Sequence, residues 1–140
     1  MEPIPITELK GKAGYELPPL MFYIERGLVN KFAAAVGDLN SRWETEAPPS
    51  LIPALGFDQV YEILASAETV AVLHGATDVE FIKPVNIGDT IVMKAVISSA
   101  RERRTENGIT VFVNFNISYI NQEAGVVANC RQTALVTRHD

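Results

Sequence analysis

The sequence predicts an α+β fold, a curved antiparallel sheet wrapped around one long central helix. Three observations predict it: apolar residues recur at helical spacing over residues 24–38, the period changes to two from Thr69 onward, and several of the later strands approach or exceed ten residues. Long antiparallel strands twist and curl, and a helix of small residues is an economical filling for the curve.

The helix is read from Ile24, Leu28, Phe32 and Val36, which recur every four residues, with Val29 and Ala33 widening the stripe. Glu25, Arg26, Asn30 and Lys31 fall on the opposite side. Ala33, Ala34 and Ala35 favour helix and let other backbone approach closely. Gly37 supplies a left-handed stop. Asp38 then sits where the helix dipole is negative, an unfavourable place for a carboxylate.

Before the helix, residues 1–19 read as an irregular lead-in anchored through Leu9 and Leu17, and residues 20–23 as a short strand. After it, residues 38–53 form a rigid loop, because Pro48, Pro49 and Pro53 each remove a backbone donor. Phe57, Val60, Tyr61 and Leu64 predict a second, short helix. The first long strand runs from Val70 and Val72 through Val79 and Phe81 to a stop at Pro84, and a turn at residues 86–89 reverses the chain. Residues 91–99 form the next strand. Val111, Val113, Phe115, Ile117 and Tyr119 put five apolar side chains on one face of its successor. Asn107-Gly108 marks the turn between them, and RERRTE before it predicts a connection longer than a two-residue hairpin. The last strand spans residues 126–137. No internal repeat is present, and one domain over residues 1–140 is expected.

Hydrophobic residues make up 47% of the chain, enough for a core, and the net charge of −5 with no basic stripe disfavours nucleic-acid binding. No stretch nears the roughly 18 apolar residues of a membrane span, and residues 1–14 lack the pattern of a secretory leader, so no membrane role and a cytoplasmic location are expected. One cysteine, Cys130, excludes an internal disulfide and a cysteine metal cluster. Asp78, Glu80 and Asp89 lack histidine or cysteine partners at ligand spacing, so no metal and no cofactor are expected. An open sheet leaves an edge strand, which pairing with a second copy would hide, so a dimer is expected.

Several segments carry a resemblance: GYELPP near the start, FAAAVGD at the helix end, APPS after the loop, LHGATDVEF, and FIKPVNIGDTI. Together they resemble the MaoC-like dehydratases and their FAS1-like relatives, which have the hotdog fold. FxxPVxxGDxI is shared widely on that fold; LHG with APP is more specific. The resemblance implies hydration of 2-enoyl thioesters of coenzyme A or acyl carrier protein, or dehydration of the 3-hydroxy form, between two hotdog units. In the active unit a segment similar to GDxNPxH holds and activates water. Gly37, Asp38 and Asn40 match that segment; Ser41 stands at its proline and Trp43 at its histidine. An indole N–H donates but cannot accept a proton near neutral pH, so Trp43 cannot be a general base. The loop after it is shorter than is usual in the family. The resemblance therefore implies the non-catalytic unit, a substrate-binding subunit that pairs as a homodimer or as a heterodimer with a catalytic hotdog subunit.

The candidate catalytic residues are Asp38, Asn40 and His74. Asp38 is either a turn-former or a water holder. His74 is the only histidine away from the C-terminus and the one titratable acid–base near a strand, with a backbone-bonded strand histidine as the plainer reading. Trp43, Pro48, Pro49, Phe57 and Gly75 are the candidate substrate-binding residues, with core packing as the alternative. Arg101, Arg103 and Arg104 are either contacts for coenzyme A phosphates or an acidic carrier protein, or a solvated hairpin tip. Cys130 reads as a small buried residue. Two other functions stay open: an acyl-thioester-binding or assembly module without chemistry, and a hotdog thioesterase.

Overall fold

A computed structural model describes residues 2–140. Three helices and five strands follow one another as α1 (Ile6–Leu9), β1 (Leu20–Tyr23), α2 (Arg26–Val36), α3 (Phe57–Leu64), β2 (Ala71–Phe81), β3 (Thr90–Thr105), β4 (Gly108–Ile120) and β5 (Val126–His139). Short 3-10 turns at Ser41–Glu44 and Pro49–Ala54 occupy the proline-rich loop. All five strands join one antiparallel sheet in the order β1-β3-β4-β5-β2, so β1 and β2 are its edges. The expected α+β architecture of a curled antiparallel sheet with helix against it is present.

Alternation sorts the sheet's two faces. Val111, Val113, Phe115, Ile117 and Tyr119 are all buried, as the period of two in β4 predicts, and Met93, Ile97, Ala134 and Val136 bury beside them from β3 and β5. Asn114, Asn116 and Ser118 point to the outer face, where Asn114 bonds Ser99 and Thr133 across two strand pairs.

The two helices divide the task that the sequence assigns to one. Along α2 only Val29 and Ala33 are buried, and Val36, at the end of the predicted stripe, is 55% exposed. The helix starts at Arg26, with Glu25 as its cap and Ile24 buried just before it. Gly37 ends it in the left-handed region, φ 72°, as expected. The shorter α3 lies deeper: Val60, Ile63 and Leu64 are at most 1% exposed. Its approach is tied to the sheet by the Tyr119 hydroxyl, which donates to the Leu55 carbonyl, and by Gln132 Nε2, which donates to the Pro53 carbonyl.

Other expectations shift. The lead-in is less irregular than its prolines suggest, since Ile6 and Leu9 of α1 are wholly buried and the Ile4 N–H donates to the Ile63 carbonyl. The RERRT segment belongs to β3: Arg101, Arg103 and Arg104 pair with Phe112, Thr110 and Ile109, and Thr105 faces Gly108 across a two-residue turn. The predicted longer connection and hairpin tip are thus strand, because a sheet ladder satisfies the backbone whether or not the side chains are charged. The Arg101 guanidinium lies 5.9 Å from the Phe112 ring centroid, and Arg104 pairs with Asp140 at 3.2 Å.

Candidate functional site

Asp38 is placed by the helix end. The Gly37 and Asp38 N–H groups donate to the Ala34 and Ala33 carbonyls, closing α2 and turning the chain outward. Asp38 Oδ1 accepts from the Asn40 N–H at 3.2 Å, and Asn40 Oδ1 accepts from the Arg42 N–H at 2.9 Å. Both side chains therefore form turns, as Asp and Asn do, and Asn40 caps the 3-10 turn that carries Trp43. The Trp43 ring packs against the core with its Nε1 buried and unpartnered, and the Arg42 guanidinium sits 5.4 Å from the ring centroid. Asp38, Asn40 and Trp43 border one open depression of about 340 Å³ against Ala33 and Ala34 of α2. Asp38, Asn40 and Trp43 thus share one depression, and the indole N–H among them can donate but not accept a proton near neutral pH.

His74 stands elsewhere. Residues three apart on a regular strand face opposite sides, yet His74 Nε2 is hydrogen-bonded to Thr77 Oγ1, because the register slips between His74 and Ala76. Gly75 sits at that bulge, a device that re-aims side chains. The His74 ring tilts against Phe57 at 5.6 Å, and Phe57 stacks on Tyr61 at 4.4 Å. The Tyr61 hydroxyl is buried without a partner, and burial pushes its pKa up. Phe57, His74 and Gly75 therefore gather at the β2 edge, and none of them borders the Asp38 depression.

Pro48 is buried as wall, whereas Pro49 lines a separate apolar groove of about 230 Å³ formed with residues 81–85 at the end of β2. Reading FIKPV only as a mark of the fold misses Phe81, Ile82 and Lys83 as groove residues. Two large apolar residues followed by a cation were the signal. Cys130 is buried, and burial raises its thiol, opposed by a hydrogen bond from Gln132 and helped by the charge of Asp78; a raised thiol is a poor nucleophile. Among the described residues no cluster of three or more His, Cys, Asp or Glu side chains could hold a metal, and no helix is long and apolar enough to cross a membrane.

Solved structures share this architecture. A monoamine oxidase regulatory protein from Archaeoglobus fulgidus aligns with a TM-score of 0.76 at 20% identity, covering 100% of this chain and 98% of that one. The R-hydratase PhaJ1 from Pseudomonas aeruginosa aligns at 0.67 and 16% identity over 92% of this chain and 83% of its own. The HadBC (3R)-hydroxyacyl-ACP dehydratase complex from Mycobacterium tuberculosis aligns at 0.68 and 18% identity over 88% and 96%. No curated protein sequence matches the chain. The family described as FAS1-like, dehydratase domain region, matches residues 12–130. With that match over most of its length and the hotdog architecture beneath it, the chain belongs to the FAS1-like dehydratase-domain family.

Proposed function

We propose that this chain is the substrate-binding subunit of a 2-enoyl thioester hydratase or 3-hydroxyacyl thioester dehydratase, acting beside a second hotdog unit that carries the complete acid–base pair. The observation that carries the reading is Trp43, which stands at the histidine position of the motif with its Nε1 buried. Adding water across the carbons beside a thioester needs a group that takes a proton and returns it, and indole does neither. Asp38 can still orient water through its carboxylate. Family membership supports the substrate class, and the HadBC structure is a complex of related units. The exposed β2 edge, with Leu73 and Phe81 at least half exposed, suits pairing with a second hotdog chain. Location in the cytoplasm agrees with the single reduced cysteine.

Incubation with crotonyl-CoA tests this. The purified chain alone should form no appreciable 3-hydroxybutyryl-CoA and release no free thiol, and activity should appear with the co-purifying partner from the native host. Rapid hydration by the isolated chain overturns the incomplete-pair reading; thiol release identifies a thioesterase instead.

A further inference from the structure

The edge strand β2 has two ends of opposite chemistry. At the far end Phe81 and Ile82 are 50% and 45% exposed, and the Ile82 and Lys83 N–H groups both donate to the Val127 carbonyl, which ties that end to β5. The Lys83 side chain is exposed and enters none of the ion pairs among the described residues. At the near end, residues 69–72 form one wall of a groove of about 520 Å³ whose other wall is α3. Val70 is 58% exposed there, and the α3 wall carries Asp58 and Glu62, one helical turn apart. Neither carboxylate is ion-paired among the described residues, and no cation lines the groove, so two like charges share one side of a helix uncompensated.

Both ends look to the same side of the sheet. Phe81 lies opposite Ala128 and Val72 opposite Val136, and because Ala128 and Val136 are buried, Phe81 and Val72 face the core side with them. Antiparallel pairing of the open β2 edge with the same edge of another copy lays the far end of each strand beside the near end of the other, twice, about one twofold axis.

We propose that two copies of this chain join in this way, with Phe81 and Lys83 of each entering the groove between α3 and β2 of the other. Phe81 then covers Val70 and Val72, and the Lys83 ammonium meets the Asp58 and Glu62 carboxylates. Charge complementarity selects a second copy as the occupant. The groove calls for an apolar side chain followed at short reach by a cation, and the chain's own strand end supplies them in that order. A net charge of −5 on each copy opposes any pairing in which charges are not matched locally. This interface goes beyond the thioester reading and does not rest on it; a related hotdog unit reaches the same edge only by displacing one copy.

Sedimentation equilibrium of two charge-swapped variants tests the contact. Lys83→Glu alone, and Asp58→Lys combined with Glu62→Lys, each set like charges against one another at both symmetry-related contacts, and each should weaken the dimer at least about tenfold. The double variant should do so although it makes the chain less acidic, an effect that general repulsion between copies would reverse. Mixed in equal amounts, the two variants should form a mixed dimer about as tight as the native one, because both contacts again join a cation to carboxylates. All three side chains are exposed, so the fold should survive, as circular dichroism would verify. Variants that dimerise as tightly as the native chain overturn the proposal. So does a mixture that stays monomeric, or a native chain that is monomeric at micromolar concentration.

Discussion

The Tyr119 hydroxyl reaches from the buried face of β4 to the Leu55 carbonyl, 3.2 Å away, and so fixes where the chain enters α3. Tyr119 is wholly buried, and removing its hydroxyl would leave that carbonyl without a donor. Tyr119→Phe should therefore cost about 1–2 kcal/mol, read as a lower urea midpoint with an unchanged slope.

The same burial sets an alkaline limit. Burial, with a smaller contribution from Cys130, pushes the Tyr119 phenol above its ordinary value of 10.0, and burial also raises Cys130 above 9.0. A group whose folded-state pKa is raised contributes stability that is intact below its unfolded-state value and is lost as pH rises past it, because only the unfolded chain releases the proton freely. Stability should be level near about pH 8 and fall toward about pH 11. In Tyr119→Phe the decline should be shallower, since the phenol's share is gone. An equally steep fall in the variant would assign the alkaline transition to other groups.

Gly56 and Gly37 both adopt a positive φ, at 78° and 72°, but their surroundings differ. A Cβ on Gly37 would meet nothing within 4 Å, whereas one on Gly56 would overlap Met93 Sδ at 2.2 Å. Met93 is only 2% exposed and has little room to swing away. Gly37→Ala should cost about 1 kcal/mol for the left-handed backbone alone. Gly56→Ala adds overpacking and should cost about 2–4 kcal/mol. Thermal melts of the two variants should rank them in that order; equal losses would show that Met93 repacks freely.

Strand periodicity carried the sheet into view because an alternating pattern has only one buried face to choose, and β4 shows it at every odd position from Val111 to Tyr119. The central element was harder to read. Residues 24–38 have the longer amphipathic stripe, yet Val36 ends exposed while the eight residues of α3 hold the interior. Depth in a core depends on which segment the sheet curls over, and no local spacing records that. The Asp38–Trp43 neighbourhood was legible because one short segment holds it all. His74 was not placeable, since its facing depends on the bulge at Gly75 that brings Thr77 to the same side. The groove escaped for a similar reason: Pro49 and Phe81 are 32 positions apart and meet only through the fold.

Restoring histidine at position 43 should not create a hydratase. The Trp43 ring lies packed against the core with its Nε1 buried, and the Asp38 carboxylate is already engaged by the Asn40 N–H. A smaller imidazole on that backbone would leave part of the indole's space empty, and nothing packed around it would hold the new ring in one orientation toward Asp38. Catalysis loses about a hundredfold for a misplacement on the order of 1 Å. Trp43→His should consequently hydrate crotonyl-CoA at least about a hundredfold more slowly than an intact family enzyme. Full activity in this single variant would mean the surrounding loop is already preorganised for catalysis.

The β2 edge should govern assembly. Its inner side is laddered to β5 from Ala71 to Phe81, while its outer side meets no other strand among the described residues. Leu73, Phe81 and Ile82 are 56%, 50% and 45% exposed along it, so an isolated copy would present open backbone groups beside apolar surface. Pairing with a second chain satisfies both at once, and light scattering at micromolar concentration should find a dimer or larger species. Leu73→Lys places a charge on that edge without touching the ladder to β5. It should shift the mass toward monomer while lowering the melting temperature of the chain itself by little, since a surface substitution of this kind usually changes stability by less than about 0.5 kcal/mol. A native chain that is already monomeric, or a Leu73→Lys variant that stays dimeric, would place the contact on another face.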